Sequence, residues 1–401
     1  MGFLAIFLLS VGCLTGASTG QSPVRWGRDI QPLLSDRCFA CHGPDESARV
    51  AGLRLDERES ATTEGAEGAA VAPGKPDASL LWKRINHEQR ELRMPPASAK
   101  KKLFSAEELA LIRRWIEEGA SYEDHWAFTP PKRHAAPTGR FAASVKNAVD
   151  AHILAKLEKE GFAPSPAADP TRLVRRVFLD LTGLPPTPAD VDRFLADTAP
   201  GAWERQVDRL LNEEPWRSRT AERLAVPWLD AARYADTCGL HTDAGRSIWP
   251  WRDWVLGAFR DNLPFDRFIK DQIAGDLAPN ATLAQKVATG FNRNHVTSDE
   301  GGAIIDELLV EYAVDRTATT GSVFLGLTVG CARCHDHKYD PVSQAEFYGL
   351  LAYFNSVEEP GLYSQTNDRT RAHEPFLSVP SARQESELAA LRKDLEASSD
   401  S

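Results

Sequence analysis

The sequence predicts an all-α protein in which a small N-terminal domain is linked to a larger, mostly helical one. Three observations carry that expectation. Apolar residues recur at helical spacing through much of the chain, as in Leu173, Val174, Val177, Phe178 and Leu181. Helix start and stop signals bracket these runs. No stretch shows a convincing strand-type alternation of apolar and polar residues. The 401 residues leave room for two or three domains, and 42% hydrophobic content with ten tryptophans fits packed, globular ones. A formal net charge of −10 argues against a nucleic-acid partner.

Taken in order, residues 1–20 open on the apolar run Met1-Gly2-Phe3-Leu4-Ala5-Ile6-Phe7-Leu8-Leu9 and continue into Gly16, Ala17 and Ser18. The run is too short for a settled transmembrane helix and reads as a signal peptide cleaved near those small residues. It lacks a Lys or Arg at its start, so a retained anchor is the alternative. Ser10-Val11-Gly12-Cys13 is only loosely like a lipoprotein signal, because Ser10 stands where a larger aliphatic residue is expected. With the signal removed no integral membrane span remains, and export places the protein in the periplasm or at the cell surface.

Residues 25–120 form the first domain. Ile30, Leu33 and Leu34 make a short helical face before Cys38, and Pro73-Gly74-Lys75-Pro76 is a turn. Ser105-Ala106-Glu107-Glu108 is a capping box opening a helix with Leu109, Ile112, Trp115 and Ile116 on one face and a stop at Gly119. Residues 121–144, with Pro130, Pro131, Pro137 and Gly139, are a linker. Residues 145–355 form the helical second domain. Val149, Ile153, Leu154 and Leu157 share a face, and Asp169-Pro170 pairs an N-cap with a first-turn proline for a helix ending at Gly183. Further helices are expected from Thr187-Pro188, around Val207, Leu210 and Leu211, over 249–259, 265–273 and 307–325, and after the capping box Ser343-Gln344-Ala345-Glu346. Residues 356–401 are a tail in which 381–398 can form a charged helix.

The chemistry is concentrated in Cys38-Phe39-Ala40-Cys41-His42. Two cysteines three apart with a histidine directly after them have the spacing of a c-type haem attachment site. The thiols add to the two vinyl groups of one haem, and the histidine becomes the proximal iron ligand. A second axial ligand is commonly methionine, and the chain has only two methionines, Met1 and Met94. Pro95 and Pro96 stiffen the loop that carries Met94. Motif, methionine loop and closing helix, in that order, read as a class I cytochrome c-like domain. The plainer alternatives are half a zinc site, a redox disulfide, and a methionine that only fills a core.

A second motif, Cys331-Ala332-Arg333-Cys334-His335, argues for a second haem c in the larger domain. No methionine remains to cap it. His337 lies two residues from His335 and points elsewhere at helical spacing. His295 and His241 stand as the other candidate ligands. The alternative is a metal or structural knot of Asp336, His337 and Asp340 with the cysteines.

Several stretches give the chain a family resemblance. Cys38 to Gly43, Gly52-Leu53-Arg54-Leu55-Asp56, Pro73-Gly74-Lys75-Pro76, Met94-Pro95-Pro96 and Trp115 to Ala120 resemble the planctomycete cytochrome C domain. Arg176 to Pro188, Ala232 to Thr237, Trp251 to Val255, Ala274 to Leu277, Glu300-Gly301-Gly302 and Gly330 to Pro341 are similar to the uncharacterised cytochrome-type domain that follows it in large planctomycete and verrucomicrobial proteins. The resemblance implies haem binding and electron transfer and supplies no substrate. Such proteins usually continue into a further large C-terminal domain, so the resemblance also implies a fragment or half of a split system.

Arg233, Asp236, His241, Asp243, Arg246, Arg252, Asp253 and Glu300 form a second polar constellation. It suits a carbohydrate cleft or haem propionates, and equally a set of buried ion pairs tying helices together, the reading favoured here. Three functions remain open. The first, an exported electron-transfer protein with a redox partner protein, is favoured over the others. The second is a haem-dependent oxidative enzyme acting on polysaccharide. The third is a surface binding or scaffold protein with structural CxxCH motifs. The sequence does not give the oligomeric state.

Overall fold

The computed structural model describes residues 22–240, 243–363 and 372–399. The expected signal peptide and His241 lie outside the described residues. The chain is mostly helical, as expected, and forms two compact units: Met1–Pro131 with Asp336–Pro341, and Lys132–His335 with Val342–Ser401. Among the described residues the one ladder is the pair Glu64–Gly65 and Gly68–Ala69, joined elsewhere by a few isolated bridges. None of the described helices is long and apolar enough to cross a membrane.

In the first unit, α1 (Gln31–Arg37) runs almost directly into α2 (Phe39–His42), with Cys38 at the break. Further along come α3 (Arg58–Thr62), α4 (Leu80–Ile85) and α5 (Ala106–Glu117). The capping box of α5 forms in both directions: Glu108 N donates to Ser105 Oγ at 3.3 Å and Ser105 N to Glu108 Oε2 at 2.8 Å. Ile112, Trp115 and Ile116 are buried with Ile30 and Leu34 of the entry helices, as their spacing predicted. Trp26 lies 5.4 Å from Trp115 and 4.1 Å from Tyr122 between ring centroids. These aromatic contacts bring large apolar area and a polar handle together. Tyr122 uses its handle, donating to the Leu55 carbonyl at 3.1 Å, so the chain stays on this unit past Ala120. Residues 336–341 complete the unit. Fully buried Ser35, one turn before Cys38, donates from Oγ to the Lys338 carbonyl at 3.3 Å, and His125 Nε2 lies 3.1 Å from the Asp340 carboxylate.

Gly43, directly after His42, is buried against α2. A Cβ there would meet Phe39 Cβ at 2.7 Å, closer than real side chains come. Phe39 itself is 5% exposed and belongs to the core, so it has no room to retreat.

The second unit starts with α6 (Ala148–Lys159), α7 (Pro170–Thr182), α8 (Pro188–Ala196) and α9 (Ala202–Asn212). Asp169 caps α7 by accepting from Arg172 N at 2.9 Å, and Gly183 ends it in the left-handed region at φ 71°. Val174, Phe178 and Leu210 are fully buried between these helices, and the Trp216 ring meets Phe178 edge-on at 5.0 Å. Arg209 and the nearly buried Asp190 pair at 2.7 Å across α8 and α9. Next comes α10 (Trp216–Ala231), which the sequence did not reveal. Its interior Pro227 reads as a helix breaker, and its buried face uses small residues, Thr220, Ala221 and Ala225, that make a weak apolar stripe. The helices α11 (Trp249–Arg260), α12 (Phe265–Ala274), α13 (Leu283–Ala288), α14 (Ile305–Thr320), α15 (Gln344–Leu351) and the charged α16 (Ala382–Ser399) follow. Trp251, Val255, Phe268 and Phe291 form the buried centre of the α10–α12 region.

Two substitutions test this packing. Gly43→Ala is expected to destabilise the first unit by about 1–3 kcal/mol through overpacking against Phe39, read as an earlier denaturation midpoint of that unit's tryptophan signal. Phe178→Ala leaves a void at a site with no exposure and is expected to cost about 3–5 kcal/mol, read by chemical denaturation.

Candidate functional site

The first CxxCH motif is a single helical turn held by its own backbone. Cys41 N and His42 N donate to the Cys38 carbonyl at 3.0 and 2.8 Å, and Cys38 N donates to Leu34 at 2.6 Å, which hangs the turn from α1. The carbonyls at the far end are taken by the following loop: Val50 N donates to Cys41 O at 2.8 Å and Leu55 N to His42 O at 2.9 Å. The loop Gly52-Leu53-Arg54-Leu55-Asp56 therefore closes the site, a role not visible from its sequence. The nearest signal was its alternation of leucine and charge, with Leu55 3% exposed in the core.

Within that turn the three reactive side chains face different surroundings. Cys41 is exposed and Cys38 is 7% exposed. Burial pushes the Cys38 thiol up to about 12. A structural zinc site needs thiolates, so this burial weighs against the zinc reading. His42 is half-buried, and burial lowers its pKa below the usual histidine range. Its Nδ1 is buried with no hydrogen-bond partner. An orphaned buried nitrogen beside two free thiols, one open to solvent, fits a group that bonds the thiols and uses the imidazole as a ligand. Cys38, Cys41 and His42 are thus the residues that would hold a haem.

Met94 is tied to α4 through its amide, which donates to the Arg84 carbonyl at 2.9 Å. Its side chain is 37% exposed and is not part of the core that buries Cys38. Two surface clefts of about 510 Å³ each border this unit. One is lined by Ala51, Gly52, Leu53 and Ser60 beside the closing loop, the other by Trp82, Lys83, His87 and Glu88 where the Met94 loop leaves α4.

At the second motif Cys331, Cys334 and His335 are all exposed around a short 3-10 turn, Val329–Arg333. Two of the histidines weighed as its far ligand, His295 and His337, are engaged elsewhere. His295 is 1% exposed in the second unit, and its two ring nitrogens face Arg316 Nη2 at 3.4 and 3.2 Å. Arg316 is clamped by Glu359 at 2.6 and 2.8 Å. Burial first, then Arg316, Arg293 and Arg246, drive the His295 pKa well below its ordinary value. His295 is thus a neutral member of a buried ion network, and its sequence context did not reveal that Arg316 and Glu359 converge on it. His337 lies in the first unit, and its Nδ1 accepts from Asp340 N at 2.8 Å and Tyr339 N at 3.3 Å. The described residues gather no three His, Cys, Asp or Glu side chains able to hold a metal, and His337 Nδ1 lies 3.5 Å from the Asp340 carboxylate.

Several members of the polar constellation are paired. Arg233 pairs with Asp315, Arg252 with Asp253 at 2.9 Å, and Tyr234 donates to Asp236 at 2.6 Å. Arg246 is buried among backbone carbonyls.

Comparison with known proteins completes the picture. Residues 38–98 match the model described as Planctomycete cytochrome C, a span that begins at Cys38 and takes in Met94. Residues 148–359, more than half of the chain, match the model described as a protein of unknown function, DUF1549, and include the second motif. Neither a curated protein nor a solved structure matches. With the first motif shaped for a haem and the helical unit behind it, the chain belongs to the DUF1549 family and carries a planctomycete cytochrome C domain ahead of it.

Proposed function

We propose that this chain is an exported c-type cytochrome that holds haem covalently at its first motif and passes electrons to a partner protein. The observation that carries the reading is the pinned turn at Cys38–His42, with its orphaned histidine nitrogen, inside the span that matches Planctomycete cytochrome C. When bound, haem supplies a one-electron iron couple at this position. The chain's own part is to hold and shield. Cys38 and Cys41 anchor, His42 offers an imidazole lone pair, and Met94 offers a thioether from a loop braced on Arg84. The packed rings of Trp26, Trp115 and Tyr122 keep water out of the core behind the turn. A haem bound by both His42 and Met94 would have no open coordination position, which favours electron transfer over small-molecule chemistry.

A second haem at Cys331, Cys334 and His335 extends the proposal. All three side chains are exposed, and His295 and His337 are engaged elsewhere, so a haem held there would have neither of those two histidines as a second ligand. That is the one observation supporting an oxidative enzyme as a second reading, with this motif as its reactive centre.

Three measurements test these statements. In protein matured by a cytochrome c assembly system, a pyridine haemochrome assay and intact mass are expected to show covalent haem, and a mass without added macrocycle refutes the proposal. Met94→Ala is expected to turn the first site high-spin and lower its potential, and an unchanged spectrum removes Met94 as ligand. His335→Ala is expected to alter only the second, high-spin signal and to leave the low-spin one in place.

A further inference from the structure

Arg333 stands between the two cysteines of the second motif, and the motif's placement runs through it. The turn Val329–Arg333 is a 3-10 helix, in which side chains three residues apart eclipse. Val329 and Ala332 form one such pair, and both are buried against Phe347 of α15. Cys331 and Cys334 form the other, and both are exposed. The turn thus buries one side and presents its two thiols together to solvent.

Its own backbone holds it loosely. Cys334 N donates to Cys331 O at 3.4 Å, where the equivalent bond of the first motif, Cys41 N to Cys38 O, is 3.0 Å. The anchoring comes from Arg333. Its guanidinium forks onto both carboxylate oxygens of Glu311 on α14, with Nη1 donating to Oε2 at 3.0 Å. Its carbonyl accepts from Gln344 Nε2 at 3.1 Å and from the Tyr348 hydroxyl at 3.0 Å, both on α15. Two helices therefore fix the middle of the motif through one residue. Ala40, in the same position of the first motif, is exposed and has no side chain that could do this. The Arg333 and Glu311 side chains are 37% and 46% exposed, and an ion pair so open to water adds little to folding stability. Such a clamp orients the turn more than it stabilises the fold.

We propose that Arg333 is a positioning residue for covalent haem at Cys331 and Cys334, anchored by Glu311, Gln344 and Tyr348. This rests on the second-haem reading above. Each cysteine adds its S–H across one vinyl group: sulfur bonds to the carbon next to the ring, the proton goes to the outer carbon, and the C=C bond becomes single, so no oxidant or reductant is consumed. The two vinyl groups sit at a fixed separation on a rigid ring. A turn clamped at its middle keeps the second thiol in register once the first has reacted.

The test matures the full chain in a cytochrome c assembly system, digests it, and weighs the two motif peptides with and without haem, the first-motif peptide serving as internal standard. Wild type is expected to carry haem on both. Glu311→Arg sets two cations side by side and is expected to lower the haem fraction of the Cys331–His335 peptide about 10-fold, less than the roughly 10²-fold cost of an ångström's misplacement. Combining it with Arg333→Glu reverses the pair and is expected to restore attachment, which a general loss of folding would not do. A wild-type second motif without haem overturns the second-haem reading and this inference with it. Haem on both wild-type peptides with an unchanged ratio in Glu311→Arg overturns the inference alone, as does a loss that the reversed pair leaves unrepaired.

Discussion

Two backbone hydrogen bonds, Val50 N to Cys41 O and Leu55 N to His42 O, are the constraint on which the first unit depends. A four-residue helix such as α2 is far too short to persist by itself, since the cost of its first turn is not recovered over so few residues. Its terminal carbonyls would also be left without partners. The closing loop satisfies them, α1 supplies the other end through Leu34, and Gly43 lets the chain leave without a collision. The thiols and the imidazole are therefore presented in a fixed order on a rigid turn.

The legible part of this protein was what local rules encode. The capping boxes at Ser105 and Ser343, the helix starts at Asp169-Pro170 and Thr187-Pro188 and the Gly183 stop all form with the bonds their sequences imply. The all-α class followed from them. Helix α10 was hidden because its buried face is built from Ala and Thr and its interior holds a proline, so neither periodicity nor propensity marks it. The site was readable as chemistry and not as geometry. Spacing alone named Cys38, Cys41 and His42, while the residues that hold them, Val50 and Leu55, act through backbone amides that any side chain would carry. His295 misled for a related reason. Its partners Arg316 and Glu359 lie far along the chain, and only the fold brings them to one point.

That buried trio sets the character of the second unit. Arg316 and Glu359 are each 2% exposed at the side chain, and His295 has no exposure there. Removing two charges from water costs several kcal/mol, so such a pair adds little net stability while leaving few alternative arrangements for the segments it joins. The segments are 292–299, α14 and the stretch around Glu359, and Tyr312 reinforces them by bonding Ser298 N at 2.8 Å and Gly361 O at 2.7 Å. The same segments hold Cys238 in place, since its carbonyl accepts from Thr297 N at 3.0 Å.

Residues 336–341 have a consequence for the order in which the protein comes into being. The first unit is closed by a piece of chain that lies beyond the longer segment of the second, Lys132–His335. Roughly 210 residues separate Pro131 from Pro341, so at about 5–20 residues per second a ribosome needs on the order of 10–40 s to deliver the missing piece. Until then Ser35 and His125 lack their Lys338 and Asp340 partners. The N-terminal unit thus waits, incomplete, on a nascent chain, exposed to misassembly for that interval.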